Sequence, residues 1–262
     1  MGAEELATAP GESRSDAAGS EGRRFEIEGR SLGFPALFPD ASSAVGLFVV
    51  SAVAADALIR DSGFEVAEVA PGRAIFSLSC CHYRESDCGV YREIAMAFFV
   101  KKQGQGSGIP YLGTWLDIVR DQAVTHIWRL PVTTRLANDA GLLMWGLPKT
   151  IEEIGFDVSG GRANFDLRME GQQVLSYSVR AEGRRSQPRS ASAVYSNYEG
   201  APHVVYLEHE NRDVGFRIGD GRLRLGGHPV AEQLRGLGLP RRPLLSSWTG
   251  QLSLTVGAPQ KL

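Results

Sequence analysis

Lysine is scarce in this chain: of 28 basic residues, only Lys101, Lys102, Lys149 and Lys261 are lysine. Two stand in a stretch rich in glycine and glutamine, and one is next to the C-terminus. Lys149 is different, because it follows Leu142-Leu143-Met144-Trp145-Gly146-Leu147-Pro148, an almost wholly apolar run. Arginine keeps its charge at any working pH, whereas a buried lysine can serve as a neutral amine. A neutral amine adds to a ketone and forms a Schiff base, which is an electron sink. The other use of such a position is structural, with the stem lying along an apolar turn and the ammonium reaching water.

A second candidate is Glu93, inside Tyr91-Arg92-Glu93-Ile94-Ala95-Met96-Ala97-Phe98-Phe99-Val100. Strand alternation places Glu93, Ala95, Ala97 and Phe99 on one face. A carboxylate among small and apolar residues can shuttle a proton or orient a partner. Glu93 is equally ordinary as the exposed end of a strand. Arg84, in the polar segment between two strand-like runs, reads as a loop arginine paired with Glu85 or Asp87.

Other chemistries find little support. No G-x-S-x-G elbow is present, and His203, His209 and His228 lack metal-ligand spacing. His126, in an apolar run before Trp128, reads as a core histidine. No dinucleotide fingerprint opens a helix after a strand. The clustered Cys80, Cys81 and Cys88 have no paired C-x-x-C spacing, which argues against zinc and against a disulfide framework. Neither a metal nor an organic cofactor is implied, and a reducing cytoplasm is the expected compartment.

The elements that must position these residues are mainly strands. Of 262 residues, 43% are hydrophobic and 22% charged, with a net charge of −2. That balance predicts an ordinary core and gives no general pull on nucleic acid or anionic lipid. The most apolar stretch, Val45 to Leu58, is interrupted by Ser51 and Asp56, so no membrane span is expected. Residues 1–24 read as a disordered tail, and 25–262 as a single domain. Strand-like runs are Ala44–Val53, Ala74–Cys81, Tyr91–Val100, Ile151–Val158, Ala163–Met169, Val174–Arg180, Val204–Leu207, Val214–Ile218, Leu223–Leu225 and Leu244–Val256. Tyr83–Gly89 reads as a polar connector, Lys101–Gly108 as a flexible loop and Gly183–Ser192 as a basic loop. Helices are expected over Thr133–Leu142, stopped by Gly146 and Pro148, and over Pro229–Leu237. Many short strands with few helices predict a β-barrel or β-sandwich.

Trp145-Gly146-Leu147-Pro148-Lys149 resembles the tryptophan-glycine-aromatic-proline-lysine signature of the acetoacetate decarboxylase family. Leu130-Pro131-Val132-Thr133-Thr134, Asp139-Ala140-Gly141, Tyr91-Arg92-Glu93 and the segment from His228 through Trp248 resemble it too. The resemblance implies a predominantly β, cone-shaped barrel with an enclosed apolar cavity and a few short helices, usually in a homo-oligomer. It also implies that Lys149 forms a Schiff base with a small keto acid, with Glu93 as the accompanying carboxylate. Acetoacetate decarboxylase is itself the usual illustration of a lysine activated by its surroundings. Three departures stand out: Thr150 replaces a second lysine, Ser77 falls near a second family glutamate, and Ala44 falls near a family arginine. Desolvation then falls to Met144, Trp145 and Leu147. Arg84, Trp145 and Met144 are the candidates for binding substrate. Three functions remain open: a β-keto acid decarboxylase, a Schiff-base aldolase-dehydratase or cyclase acting on a larger oxo acid, and a non-catalytic barrel that binds an apolar molecule.

Overall fold

In a computed structural model, residues 22–104, 111–120 and 122–262 are described. Residues 1–21 of the expected tail and 105–108 of the expected glycine loop lie outside them. The chain opens with a hairpin of β1 (Arg24–Ile27) and β2 (Arg30–Gly33), then β3 (Ala36–Ser51) and α1 (Ala52–Ile59). Next come β4 (Phe64–Val66), β5 (Glu68–Ala70), β6 (Arg73–Glu85), β7 (Tyr91–Lys102), α2 (Leu112–Val119) and β8 (Val124–Val132). They lead to α3 (Arg135–Trp145), β9 (Lys149–Ile151), β10 (Glu153–Ser159), β11 (Arg162–Met169) and β12 (Gln172–Arg180). The last elements are β13 (Arg185–Tyr198), β14 (Ala201–Ile218), β15 (Arg222–Leu225), α4 (Pro229–Gly236), β16 (Leu245–Val256) and β17 (Gln260–Lys261).

The pairing order β7–β6–β3–β16–β14–β13–β8 returns to β7, so these seven strands close a barrel with no free edge along that path. The β8–β13 and β8–β9 contacts are parallel. The predicted mainly β barrel with a few short helices is the fold that forms. A second sheet, ordered β10–β11–β12–β15, packs on the outside. Its Phe165, Leu167 and Tyr177 meet Phe48, Phe76, Leu78, Ile94, Met96 and Phe98 in one apolar cluster. A separate cluster joins Phe38, Cys81, Tyr83, Tyr91, Val132, Met144, Trp145, Val205 and Leu254. Among the described residues, no helix is long and apolar enough to cross a membrane.

Four sequence expectations need correction. Ala44–Val53 does not run on as a strand: Ser51 ends β3 and caps α1, its Oγ accepting from the Ala54 amide at 3.3 Å. The connector Tyr83–Gly89 is strand as far as Glu85. Gly183–Ser192 is mostly strand β13, whose register shifts around Pro188 hide the alternation. Val204–Leu207 and Val214–Ile218 belong to one strand. Between them, half-buried His209 and Asn211 alternate with exposed Glu208, Glu210 and Arg212, a polar pattern that does not read as a strand from hydrophobicity. The helix α2, the strand β8 and the β1–β2 hairpin carried no expectation.

Candidate active site

The position of Lys149 is fixed by the turn before it. Thr134 caps α3, its Oγ1 accepting from the Ala137 amide at 3.3 Å. The helix ends at Gly146 with φ 62°, and the amides of Gly146 and Leu147 return to the carbonyls of Leu142 and Gly141. Glycine is needed there twice over, because a Cβ at Gly146 would also fall 2.1 Å from the Asn197 carbonyl oxygen. After Pro148 the chain enters β9, where Lys149 pairs with Leu130 of β8. The lysine stem then passes over α3 at Gly141, where a Cβ would lie only 2.3 Å from Lys149 Cδ. Gly141 is therefore the channel through which the side chain reaches the barrel interior.

Lys149 Nζ lies 2.8 Å from Glu93 Oε2, and the two side chains are 6% and 14% exposed. The ammonium also sits 5.3 Å from the centre of the Tyr91 ring, within cation–π range. The other Glu93 oxygen, Oε1, accepts from the Tyr83 hydroxyl at 3.4 Å. Tyr83 stacks on Tyr91 with ring centres 4.6 Å apart and packs against Phe38. Cys81 stands opposite Glu93 on β6.

The groups around this pair stay neutral. Burial, reinforced by the Glu93 charge, pushes the Cys81 thiol up to about 12. Burial pushes Cys88 up to about 11, with the Lys149 charge pulling it back. The phenols of Tyr83 and Tyr91 are driven well above their ordinary range, first by burial and then by neighbouring groups that include Glu93. One ion pair thus sits among neutral donors in a largely apolar wall. Such a pair can exchange a proton internally, leaving a lysine lone pair free beside a protonated carboxyl group.

The chain matches the family model for acetoacetate decarboxylase (ADC) over residues 28–261. It belongs to the acetoacetate decarboxylase family. Comparison with curated protein sequences finds no significant match. Among solved structures, the fold is similar to acetoacetate decarboxylase from Legionella pneumophila, with TM-score 0.60, 15% identity and 98% of each chain covered. Another acetoacetate decarboxylase structure matches with TM-score 0.59 and 14% identity over 87% of this chain and 89% of that one. The enduracididine biosynthesis enzyme MppR, complexed with pyruvate, matches with TM-score 0.53 and 17% identity over 88% of this chain and 91% of that one.

Not every candidate in this family member joins the Lys149–Glu93 pair. Met144 and Trp145 lie in the apolar cluster with Tyr83 and Tyr91 and are 0% and 2% exposed. The Trp145 indole N–H is already committed to the Gly257 carbonyl at 2.8 Å. Both residues build the wall behind the site. Arg84 is the correction. Strand β6 continues through it, so alternation turns Arg84 away from the face that carries Tyr83 and Cys81. Its guanidinium grips Asp40 at 2.7 and 2.5 Å and also donates to the carbonyls of Ala41 and Gly250. That partner is Asp40, not Glu85 or Asp87, and the Asp40 carboxyl is held below its usual range by the arginine.

The positions of the family departures are equally informative. Thr150 is exposed and, as the next strand residue, faces away from Lys149. Ala44 is fully buried in the outer cluster, while its neighbour Ser43 faces inward. Thr249, Ser43, Cys81 and Glu93 form one cross-strand row over four adjacent strands. The next row inward is Ser247, Val45, Ser79 and Ala95. The interior wall beside Glu93 is therefore rich in hydroxyls. Sequence reasoning missed Tyr83, Cys81 and Gly141. Tyr91 carried a usable signal, since it sits two residues before Glu93 on the same face; the others needed the register and the path of the lysine stem.

Proposed function

We propose that this protein is a Schiff-base-forming lyase that decarboxylates a β-keto acid, with Lys149 as nucleophile and Glu93 as its proton partner. The observation that carries this reading is the 2.8 Å contact between a nearly buried lysine and a nearly buried carboxylate. Glu93 takes a proton from the Lys149 ammonium, and the freed amine attacks the ketone carbon. The carboxyl group of Glu93 returns that proton to the carbinolamine hydroxyl, and water leaves to give the iminium. The bond from the α-carbon to the carboxylate breaks, carbon dioxide departs, and the electron pair passes into the enamine. Protonation of the α-carbon and attack by water then release the ketone and restore Lys149. Over one cycle the α-carbon gains a proton taken up from solvent, and the water lost in forming the iminium is matched by the water that hydrolyses it. In this reading the unit acting on the small keto acid is residues 25–262, assembled as a cytoplasmic homo-oligomer.

The alternative is aldol addition, dehydration or cyclisation of a larger oxo acid through the same iminium. Two observations favour keeping it: Arg84 is spent on Asp40, and the interior rows beside Glu93 carry Thr249, Ser43, Ser79 and Ser247. Hydroxyls of this kind suit a longer polar chain better than a methyl group. MppR, alike in fold, is recorded with a condensation product of pyruvate and imidazole 4-carboxaldehyde. Incubation with acetoacetate and a panel of larger oxo acids, analysed for carbon dioxide and for product mass, separates the two. Carbon dioxide release that depends on Lys149 supports decarboxylation. Product without carbon dioxide contradicts it and supports the alternative. Binding of an apolar molecule with no turnover, unchanged in Lys149→Ala, would favour the non-catalytic barrel.

A further inference from the structure

The outer sheet carries a hollow built differently from the Lys149–Glu93 site. It measures about 590 Å³ and is lined by Arg222, Arg224, Arg235, Arg241 and Arg242 together with apolar side chains. No acidic side chain lines it among the described residues, although the whole chain carries a net charge of −2. Five arginines line one hollow, and only Arg235 among them has its charge met, by Glu232; the other four leave an excess of positive charge there that an anion would offset.

The local chain holds these groups in place. Arg222 and Arg224 project from β15, whose inner neighbour Leu223 is buried in the core. The Leu223 amide donates to the Arg241 carbonyl at 2.8 Å, which ties the Pro240-Arg241-Arg242-Pro243 segment to that strand. The two prolines restrict the backbone on either side of the arginine pair. Arg235, on α4, is already fixed by Glu232 and by the carbonyls of Leu225 and Gly226. Acids on or next to these elements are engaged: Glu232 with Arg235, and Asp220 with Arg162 and Arg180; Asp166, in one cross-strand row with Ser176 and Arg224, accepts from Gln173. Arg222, Arg224, Arg241 and Arg242 form no ion pair among the described residues.

We propose that this hollow binds a small molecule carrying a diphosphate or triphosphate group. Planar guanidinium forks match phosphate oxygens two at a time. A single carboxylate would satisfy one or two of them, whereas a phosphate chain meets four. The volume suits a ligand with a further body, and Leu225 and Leu239 provide apolar surface against which that body can lie. The site is outside the barrel and does not depend on the reading of Lys149.

The test is calorimetric titration of the full chain with tripolyphosphate, ATP, adenosine and citrate at low and high salt. Tripolyphosphate and ATP should bind one per chain and weaken as salt rises, while adenosine and citrate should bind far more weakly. Tighter binding of ATP than of tripolyphosphate assigns the apolar shelf to a nucleoside; equal binding assigns recognition to the phosphate chain alone. Replacing both Arg241 and Arg242 with Gln should weaken binding about tenfold to a hundredfold, with an unchanged ligand-free melting temperature as the folding control. Replacing Arg184 and Arg212 with Gln should change little. The proposal is overturned by absence of saturable binding, by citrate binding as well as tripolyphosphate, by equal loss in both double variants, or by tighter binding of a single-stranded RNA oligonucleotide than of ATP.

Discussion

The two faces of β6 and β7 do opposite jobs, one residue apart. On the outer face Phe76, Leu78, Cys80, Ile94, Met96 and Phe98 are each 0% exposed beneath the second sheet. On the inner face Ser77, Ser79, Glu93 and Ala95 are smaller or polar and remain partly accessible. Adjacent Cys80 and Cys81 mark the boundary: the first belongs to the outer core, and the second stands opposite Glu93. Strand alternation is what permits the division, because successive side chains leave the sheet in opposite directions. The outer face supplies packing, and that packing holds rigid the backbone from which Glu93 projects.

The division can be broken from either side. The largest effect is expected at Glu93→Gln, which keeps the shape and removes the proton acceptor. Turnover per folded molecule should fall roughly 10²–10⁴-fold, with some loss of stability because the Lys149 ammonium loses its buried partner; a variant of near-normal turnover would remove Glu93 from the mechanism. Phe98→Ala on the opposite face should show the converse pattern. It should cost about 3–5 kcal/mol of stability in denaturant unfolding, while turnover per folded molecule stays close to that of the parent.

Gly141→Ala sharpens the comparison, because it leaves both strands untouched. The new methyl group would occupy the path of the Lys149 stem, 2.3 Å from Cδ. Displacing the amine by about an ångström should cost on the order of 10²-fold in turnover, read together with reduced trapping of a keto acid on Lys149. Unchanged kinetics would mean that the stem has another route. The smallest effect is expected at Thr150→Lys. A charge in solvent on the far side of β9 is screened from Nζ, so turnover should change by about twofold or less. A large gain would show that the second lysine acts despite facing away.

The barrel was legible because its outer face is continuous apolar sequence with turn residues between runs. Lys149 and Glu93 were legible for a chemical reason, since each is a residue type out of keeping with its surroundings. Their partners were not. Tyr83 looked like connector because Arg84, Glu85 and Asp87 follow it, yet β6 keeps its alternation through Arg84 and Glu85. Arg84 looked available for the same reason, and the extended strand sends it to Asp40 instead. Gly141 looked like any glycine near a helix end; its role depends on a side chain eight positions later. The β13–β14 segment was hidden because its inward residues, including His209 and Asn211, are polar, so hydrophobic periodicity vanishes where the interior is not apolar.

The central claim is that Lys149 forms an imine beside Glu93. Reductive trapping tests it most directly: the protein is incubated with acetoacetate and larger oxo acids, treated with borohydride, digested and mapped by mass. A covalent adduct on Lys149, absent from Lys149→Ala and from samples without keto acid, is the expected result. A turning-over enzyme that yields no adduct on Lys149 with the substrate it consumes would contradict the claim.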